Sequence, residues 1–389
     1  MPNADGNGRP RPKVLLLITH LDPGGAQETV VLLAENLPAR GFDVTVASAP
    51  GGATEERARI YAAFRPIPNL RRAIAPVHDA LAYGSVERLI RRDRFDVVHT
   101  HSSKAGILGR LAARRAKVPA IVHTSHGLPI NPDMRRLERT ILLGAERLAS
   151  RVCDRVVAVS EATAVELHRL RLARRQQIEV IPSGVRIPNG SLPTRDAARR
   201  ALGLERREGP VVGWVGRHFP QKRPELIVRA SRRLLERVPD AQVVLVGDGP
   251  LLERTRRQTG GDDRIKVLGH RRDVDNAYAA MDVFMLASAW EGLPRTVLEA
   301  QASGVPVVST RVSGIPEVVR HGRTGLLVEP GDWKGLADAA ERILTDGAMR
   351  RAMARAARET VTELYSAERT ADCTAGLYER VLRENRARR

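Results

Sequence analysis

The chain has 389 residues, 42% of them hydrophobic, and a formal charge of +19. That length exceeds one ordinary core and suits two domains, and no apolar run reaches the roughly 18 residues of a transmembrane helix. Aromatics are only 3%, and the cation excess is spread through both halves, with 29 Lys/Arg against 18 Asp/Glu in residues 1–190 and 35 against 27 after them. A nucleic-acid binder needs stacking platforms or a focused basic face, so this balance argues against one and suits anionic ligands or an anionic membrane surface instead.

The start, MPNADGNGRPRPK, is a polar Pro/Gly tail without the apolar core of a secretion signal. Cys153 and Cys373 are far apart and form no metal or disulfide framework, so a cytoplasmic setting is expected. KVLLLIT (13–19) reads as a buried strand, Gly24-Gly25 as a turn, and AQETVVLLAENL as an apolar-periodic helix that Gly41 breaks. Strands follow at DVTVASA, DVVHTHS (96–102), AIVHTSH (120–126), RVVAVSE (155–161) and EVIPSGV (179–185), with helix-like segments between most of them. The polar stretch 190–210 reads as a linker. The pattern then restarts with VVGWVG (211–216), QVVLVGDG (242–249), IKVLGH (265–270), VFMLAS (283–288), VPVVST (305–310) and GLLVEP (325–330), before a charged helical tail.

Apolar runs alternating with helices predict parallel sheets covered on both faces. The expected fold is therefore α/β, with two doubly wound Rossmann-like domains facing across a cleft. Residues 1–190 form the first and 191–365 the second, and 366–389 form a helical tail that packs back on the first. Ligands of such sheets bind at the carboxyl ends of the strands, in the cleft.

Several residues at strand ends carry chemistry. Gly24 and Gly25 permit close backbone approach but lack the spacing of a dinucleotide fingerprint. His99 and His101 share one strand face, while His123 and His126 point differently; no carboxylate or cysteine accompanies them at metal-ligand spacing, so no metal site is expected. For any one of these histidines a structural role is the favoured reading; His126, beside Gly127, is the one best placed to touch substrate. Arg217 and Lys222 follow a strand and suit a diphosphate, although solvated surface is the plain alternative.

Glu291 and Glu299 bracket a loop-to-helix turn. Eight helical steps would separate their α-carbons by roughly 12 Å. Paired acid–base carboxylates in glycosidases stand about 5 to 9 Å apart, so these two suit a long ligand held at two points. Pro294 fits a helix start whose free N–H groups face an anion. On spacing alone, solvated charges are the favoured reading of both glutamates. Met134 to Arg151 is amphipathic, with Met134, Leu137, Ile141, Ala145 and Leu148 on one face; that stripe reads either as core-facing, the reading favoured by its mixed charges, or as a dock for anionic lipid.

Taken in order, VGRHFPQKRPELIVRA, VVLVGDGP, VLGH, WEGLPRTVLEAQASGVPVVST, SGIPEVV and GRTGLLVEPGD closely resemble the C-terminal domain of family 4 of the GT-B glycosyltransferases. GGAQ, THSSKAGILGRLAA, TSHG, VAVSE and VIPSGV resemble its acceptor-side domain, so the likeness spans about residues 13 to 365. The resemblance implies a retaining, metal-independent transferase that needs no cofactor and uses a UDP- or GDP-sugar. Arg217 and Lys222 match the basic pair on the donor diphosphate. Glu291 and Glu299 match the EX7E glutamates, the first on the donor sugar and the second near the ribose. The N–H groups of Leu293, Pro294's neighbourhood, Arg295 and Thr296 face the diphosphate, with Gly24 and Gly25 closing on the same phosphates. His126 matches the histidine near the transferred sugar, and His101, Ser103 and Lys104 lie on the acceptor side.

The implied acceptor is a lipid-linked glycan for surface polysaccharide, at the inner face of the membrane. A small metabolite such as an aminocyclitol or polyketide is the alternative, and a GT-B sugar-nucleotide epimerase a further one. The sequence departs from the family pattern at Arg223 (usually Gly), Ser183 (Asn), Pro294 (Gly) and Gln301 (Met).

Overall fold

The structure is a computed structural model that describes residues 10–128, 130, 134–188, 190, 192–204 and 208–387. The N-terminal tail over residues 1–9, and residues 191 and 205–207 of the expected linker, lie outside the described residues. The chain divides into two compact units, one of residues 1–184 with 367–389 and one of residues 185–366.

In the first unit the elements alternate: β1 (Lys13–Leu17), α1 (Gly25–Asn36), β2 (Asp43–Ser48), α2 (Glu55–Tyr61), β3 (Ala63–Pro66), α3 (Pro76–Asp93), β4 (Val97–His101), α4 (Ser103–Arg115), β5 (Ala120–Ser125), α5 (Arg136–Arg151), β6 (Arg155–Ala158), α6 (Glu161–Arg169) and β7 (Ile178–Val180). Their order in the sheet is β3-β2-β1-β4-β5-β6-β7, all parallel. The two-residue period of β1 divides its apolar side chains between two cores. Val14, Leu16 and Ile18 pack with residues of α1, whereas Leu15 and Leu17 pack with residues of α3 and α4. Each fully buried leucine contributes about 1.5–3 kcal/mol. β3 has no counterpart among the expected strands. It is a four-residue edge strand ending in Pro66, and its short, proline-closed AFRP carries little of the Val/Ile/Leu signal of the central strands.

The second unit contains α7 (Arg195–Ala201), β8 (Val211–Val215), α8 (Pro224–Arg237), β9 (Gln242–Val246), α9 (Leu252–Gln258), β10 (Ile265–Gly269), α10 (Val274–Ala280), β11 (Val283–Leu286), α11 (Arg295–Ala302), β12 (Val307–Thr310), α12 (Ile315–Val318), β13 (Gly325–Val328), α13 (Trp333–Thr345) and α14 (Gly347–Leu364). Its parallel sheet runs β10-β9-β8-β11-β12-β13. The stretch expected to be only linker is in part helical. Thr194 caps α7 by accepting from Ala197 N–H, and Arg195 bonds the buried carboxylate of Asp282 at 2.8 Å. Asp346 separates α13 from α14 because its side chain accepts from Met349 N–H at 2.9 Å, a cap that contributes about 1 kcal/mol.

The last helix, α15 (Ala367–Ala387), belongs to the first unit. It buries Ala371, Ala375, Leu377, Tyr378, Val381 and Leu382 in the core shared with α1. Tyr378 meets Phe42 edge-on at 5.5 Å, and Arg155 pairs with Glu384 at 2.7 Å.

Strand order reverses between β1 and β4 in the first sheet and between β8 and β11 in the second. Open α/β sheets bind ligands beyond the carboxyl ends of their strands at such reversals.

Candidate functional site

The reversal in the second unit brings Lys222 and Glu291 together, with Arg217 on the same loop as Lys222. β8 ends at Val215, and Gly216 leads into the loop that carries Arg217 and Lys222. That loop lies against the one after β9: a Cβ on Gly247 (φ 137°) would stand 1.8 Å from the Gly216 carbonyl oxygen, so only glycine fits. The loop after β11 is fastened to the same segment. Ala289 N–H donates to the Gln221 carbonyl at 2.8 Å, and the Gln221 amide donates to the Trp290 carbonyl at 2.8 Å.

These backbone ties set Lys222 Nζ against Glu291 Oε1 at 2.5 Å, where Ser288 also donates to the same oxygen at 2.7 Å. The side chain of Glu291 is 7% exposed and that of Lys222 13%. The solvated reading of Glu291 is therefore wrong, because sequence spacing cannot see that the β8 and β11 loops meet. Arg217 is exposed, its guanidinium 5.4 Å from the Phe219 ring centroid. Arg223 takes φ 47° and ψ 56° at the start of α8. That left-handed conformation explains glycine's preference at this position in the family pattern, and for a non-glycine residue it costs about 1–2 kcal/mol.

Only half of the interval between Glu291 and Glu299 is helical, since Pro294 is the N-cap of α11 and the helix starts at Arg295. The eight-step helical estimate of their separation therefore does not apply. Glu299 is partly buried rather than solvated. Its carboxylate accepts from the Tyr278 hydroxyl at 2.9 Å and faces Arg295 Nη2 at 3.4 Å. Leu293 and Pro294 are buried before the helix, and Thr296 Oγ1, in its first turn, is buried with no hydrogen-bond partner among the described residues.

In the first unit the reversal gathers the histidines. His101 Nδ1 lies 3.0 Å from His126 Nε2, with the rings stacked at 5.3 Å. His99 is held between the Tyr378 hydroxyl at Nδ1 (2.5 Å) and Thr124 Oγ1 at Nε2 (2.7 Å). His123 turns to the other face, where Nδ1 lies 3.0 Å from Thr100 Oγ1. Burial favours the neutral ring in each case: it pushes His99 down to about 3 and holds His101 and His123 well below the usual histidine range. His126 itself is half-buried.

Ser102 precedes α4 at φ 62° and ψ 157°, a strained conformation that its hydroxyl supports by bonding Thr19 Oγ1 at 2.7 Å. Ser103 opens α4, while Lys104 is paired with Asp79 at 2.6 Å and donates to the Ala73 carbonyl. Gly24 and Gly25 open α1 at the end of the β1 connection. A cavity of about 270 Å³ is bounded by Ser102, Ser103, His123, His126, Arg110 and Glu146, among others. Arg110 and Glu146, paired at 2.5 Å and essentially buried, escaped sequence reasoning because two lone charges 36 residues apart in a basic chain give no signal. Ser288, Tyr278 and Tyr378 escaped it for the same reason: each acts through a contact that is remote in sequence or carries no motif. Among the described residues, no group of three or more His, Cys, Asp or Glu could hold a metal ion.

Two doubly wound parallel sheets, each with polar chemistry at its reversal, define the GT-B class. Residues 23–187 match the model of Glycosyltransferase Family 4, and residues 209–346 match that of Glycosyl transferases group 1. The chain is 31% identical over 363 residues to the UDP-Gal:alpha-D-GlcNAc-diphosphoundecaprenol alpha-1,3-galactosyltransferase of Escherichia coli, covering 91% of this chain and 93% of that one. It is 33% identical to the D-inositol 3-phosphate glycosyltransferase of Saccharomonospora viridis, covering 73% and 70% respectively. Its fold is similar to that of Anabaena HepE in complex with UDP and glucose, with a TM-score of 0.80, 22% identity and coverage of 94% and 99%. The chain belongs to glycosyltransferase family 4 and is an enzyme that transfers a sugar from a nucleotide sugar.

Proposed function

We propose that this enzyme moves a hexosyl group from a UDP-sugar to a hydroxyl of a lipid-linked glycan precursor, retaining anomeric configuration and needing no metal. The observation that carries the donor half of this reading is the meeting of Lys222, Glu291 and Ser288, one loop before the N-terminus of α11. When a sugar–diphosphate bond breaks, negative charge grows on the phosphate, and fixed cations and helix N–H groups aimed at it lower the barrier. Arg217, Lys222 and the first turn of α11 supply that field without a metal. Glu291 receives the sugar hydroxyls, and Glu299, steadied by Tyr278, receives the ribose.

The acceptor half rests on the first unit. His126 borders the transferred sugar, and Ser103 and His101 border the acceptor, while Lys104 serves that side through its bond to Asp79. Gly24 and Gly25 open α1, whose N–H groups suit a phosphate. The diphosphoundecaprenol in the name of the Escherichia coli relative favours a lipid-linked acceptor and a UDP-sugar donor over a GDP-sugar. A second reading, a small polyol acceptor, is favoured by the inositol 3-phosphate in the name of the Saccharomonospora viridis relative. The test is a panel of nucleotide sugars scored by thermal shift, followed by nucleotide release. A saturating UDP-sugar at about 100 times its Kd should stabilise the fold by roughly 2.7 kcal/mol. Release should then require a lipid-linked diphosphate sugar and persist in EDTA. If no nucleotide sugar binds, the donor assignment is wrong; if an inositol phosphate alone supports release, the second reading replaces the first.

A lipid-linked acceptor calls for membrane contact. No helix among the described residues is long and apolar enough to cross a membrane. On α5, however, Leu137, Ile141 and Leu148 are 71%, 56% and 53% exposed, while Leu143, Glu146, Ala149 and Ser150 face inward. The favoured core-facing reading of that stripe is thus reversed: α4 takes the opposite face, where Arg110 meets Glu146. At the start of α3, Ile74, Val77 and Leu81 are likewise 71%, 71% and 50% exposed. Both helices pack on α4, and exposed Arg71, Arg72, Arg135, Arg136 and Arg139 accompany the two stripes. Apolar side chains set among cations suit an anionic bilayer at the cytoplasmic face. Flotation with phosphatidylglycerol vesicles should recover the enzyme, and L137E/I141E should reduce that recovery severalfold. Equal flotation with zwitterionic vesicles would remove the idea.

A further inference from the structure

The ion pair at the second unit's reversal has an effect of its own, and it rests on the donor-site reading above. We propose that Glu291 competes with the donor diphosphate for Lys222, so that the site holds an intact nucleotide sugar and rejects the nucleoside diphosphate left after transfer.

The geometry makes Glu291 an internal stand-in for a phosphate. Lys222 Nζ and Glu291 Oε1 are 2.5 Å apart, and the side chains are only 13% and 7% exposed. Ser288, fully buried, aims the same carboxylate oxygen from 2.7 Å. The Ala289–Gln221 and Gln221–Trp290 bonds fasten the two loops, and Glu291 N–H faces Ser313 Oγ at 3.4 Å, so neither partner is a swinging surface charge. Breaking a buried pair by removing one member leaves the other charge uncompensated, which costs several kcal/mol.

Three ligands then meet different sites. A free nucleoside diphosphate offers oxygens to Lys222 but nothing to Glu291, so binding leaves a buried carboxylate short of its cation. A free sugar offers hydroxyls to Glu291 and no anion to Lys222. The intact donor supplies both at once, with phosphate oxygens for the ammonium and hydroxyl donors for the carboxylate. Once the sugar departs to the acceptor, Glu291 reclaims Lys222 and the diphosphate loses its strongest point charge. Ser288 is the positioning residue in this scheme, because it keeps the carboxylate within reach of the lysine.

Calorimetric titration of UDP, and of a UDP-sugar without acceptor, into wild type, Glu291→Gln, Glu291→Asp and Lys222→Gln tests the idea. Gln keeps the acceptor that Ser288 needs and removes the charge; Asp keeps the charge and withdraws it from Lys222. UDP should bind about tenfold tighter or more to Glu291→Gln, a gain of about 1.4 kcal/mol, and severalfold tighter to Glu291→Asp, while the UDP-sugar loses affinity for both. Lys222→Gln should weaken UDP binding. If wild type binds UDP and Lys222→Gln weakens it, yet neither Glu291 variant tightens it, the competition is overturned and the donor site stands. If Lys222→Gln leaves UDP affinity unchanged, the placement of the diphosphate is itself wrong. Should Glu291→Gln not fold, Glu291→Asp alone decides between these outcomes.

Discussion

Arg217→Ala is expected to lower sugar transfer about a hundred- to a thousandfold, mostly in kcat, with the fold intact. Arg217 is exposed at the end of β8, and its recorded contact is the Phe219 ring, 5.4 Å away, so the packing lost is small. Lys222, on the same loop, is already engaged by Glu291. In the proposed donor site, Arg217 is thus a cation open to a diphosphate before any internal bond is broken, and it would meet the charge that grows as the sugar leaves. Arg217→Lys should recover only part of the rate, because an ammonium cannot reproduce a planar two-oxygen contact. The check is single-turnover transfer beside a melting curve. A variant with unchanged turnover would place the leaving-group charge elsewhere.

Mild acid should unfold the first unit before the second. His99, His101 and His123 are fully buried and neutral, held far below the usual value of about 6.5 by burial, with His126 and Arg110 adding repulsion. A pKa depressed in the folded state means that stability is complete above pH 6.5 and falls as the unfolded chain takes up protons. For His99 the decline continues to about 3. His99 alone removes about 1.4 kcal/mol per pH unit, roughly 2 kcal/mol by pH 5, and His101 and His123 act in the same direction, against a typical domain stability of 5–15 kcal/mol. Among the described residues of the second unit, the comparable group is His218, pushed down to about 4 by burial. All three tryptophans (Trp214, Trp290 and Trp333) lie in the second unit. On titration from pH 7.5 to 5, far-UV circular dichroism should therefore lose amplitude while tryptophan emission stays native. Coincident loss of both signals would contradict this.

The central strands were legible because parallel strands buried on both faces are nearly continuous runs of Val, Ile and Leu, as in β1 and β9. β3 was not, since an edge strand of four residues needs only one apolar face. The strand-end cations and glutamates stood out by position and by family resemblance. The burial of Lys222 and Glu291 did not, because it arises where two loops 69 residues apart meet. The stripe on α5 shows the limit of periodicity: the pattern marked a face without saying which side it turns to. Tyr378 lies 279 residues from His99, a distance no local pattern bridges. The left-handed Arg223 was visible only as a departure from glycine, and its φ supplied the reason.

Helix α15 has a consequence for biosynthesis. The first unit is discontinuous, and its final helix is made only after the 182 residues of the second unit, 185–366, have been translated. At about 5–20 residues per second, that leaves the core of the first unit without α15 for roughly ten to thirty-five seconds. During that interval the apolar surface of α1 that α15 covers is open to chaperones. A ribosome that stops within the second unit releases a chain whose first unit lacks α15. The first domain begun is thus finished by residues made only after the whole of the second.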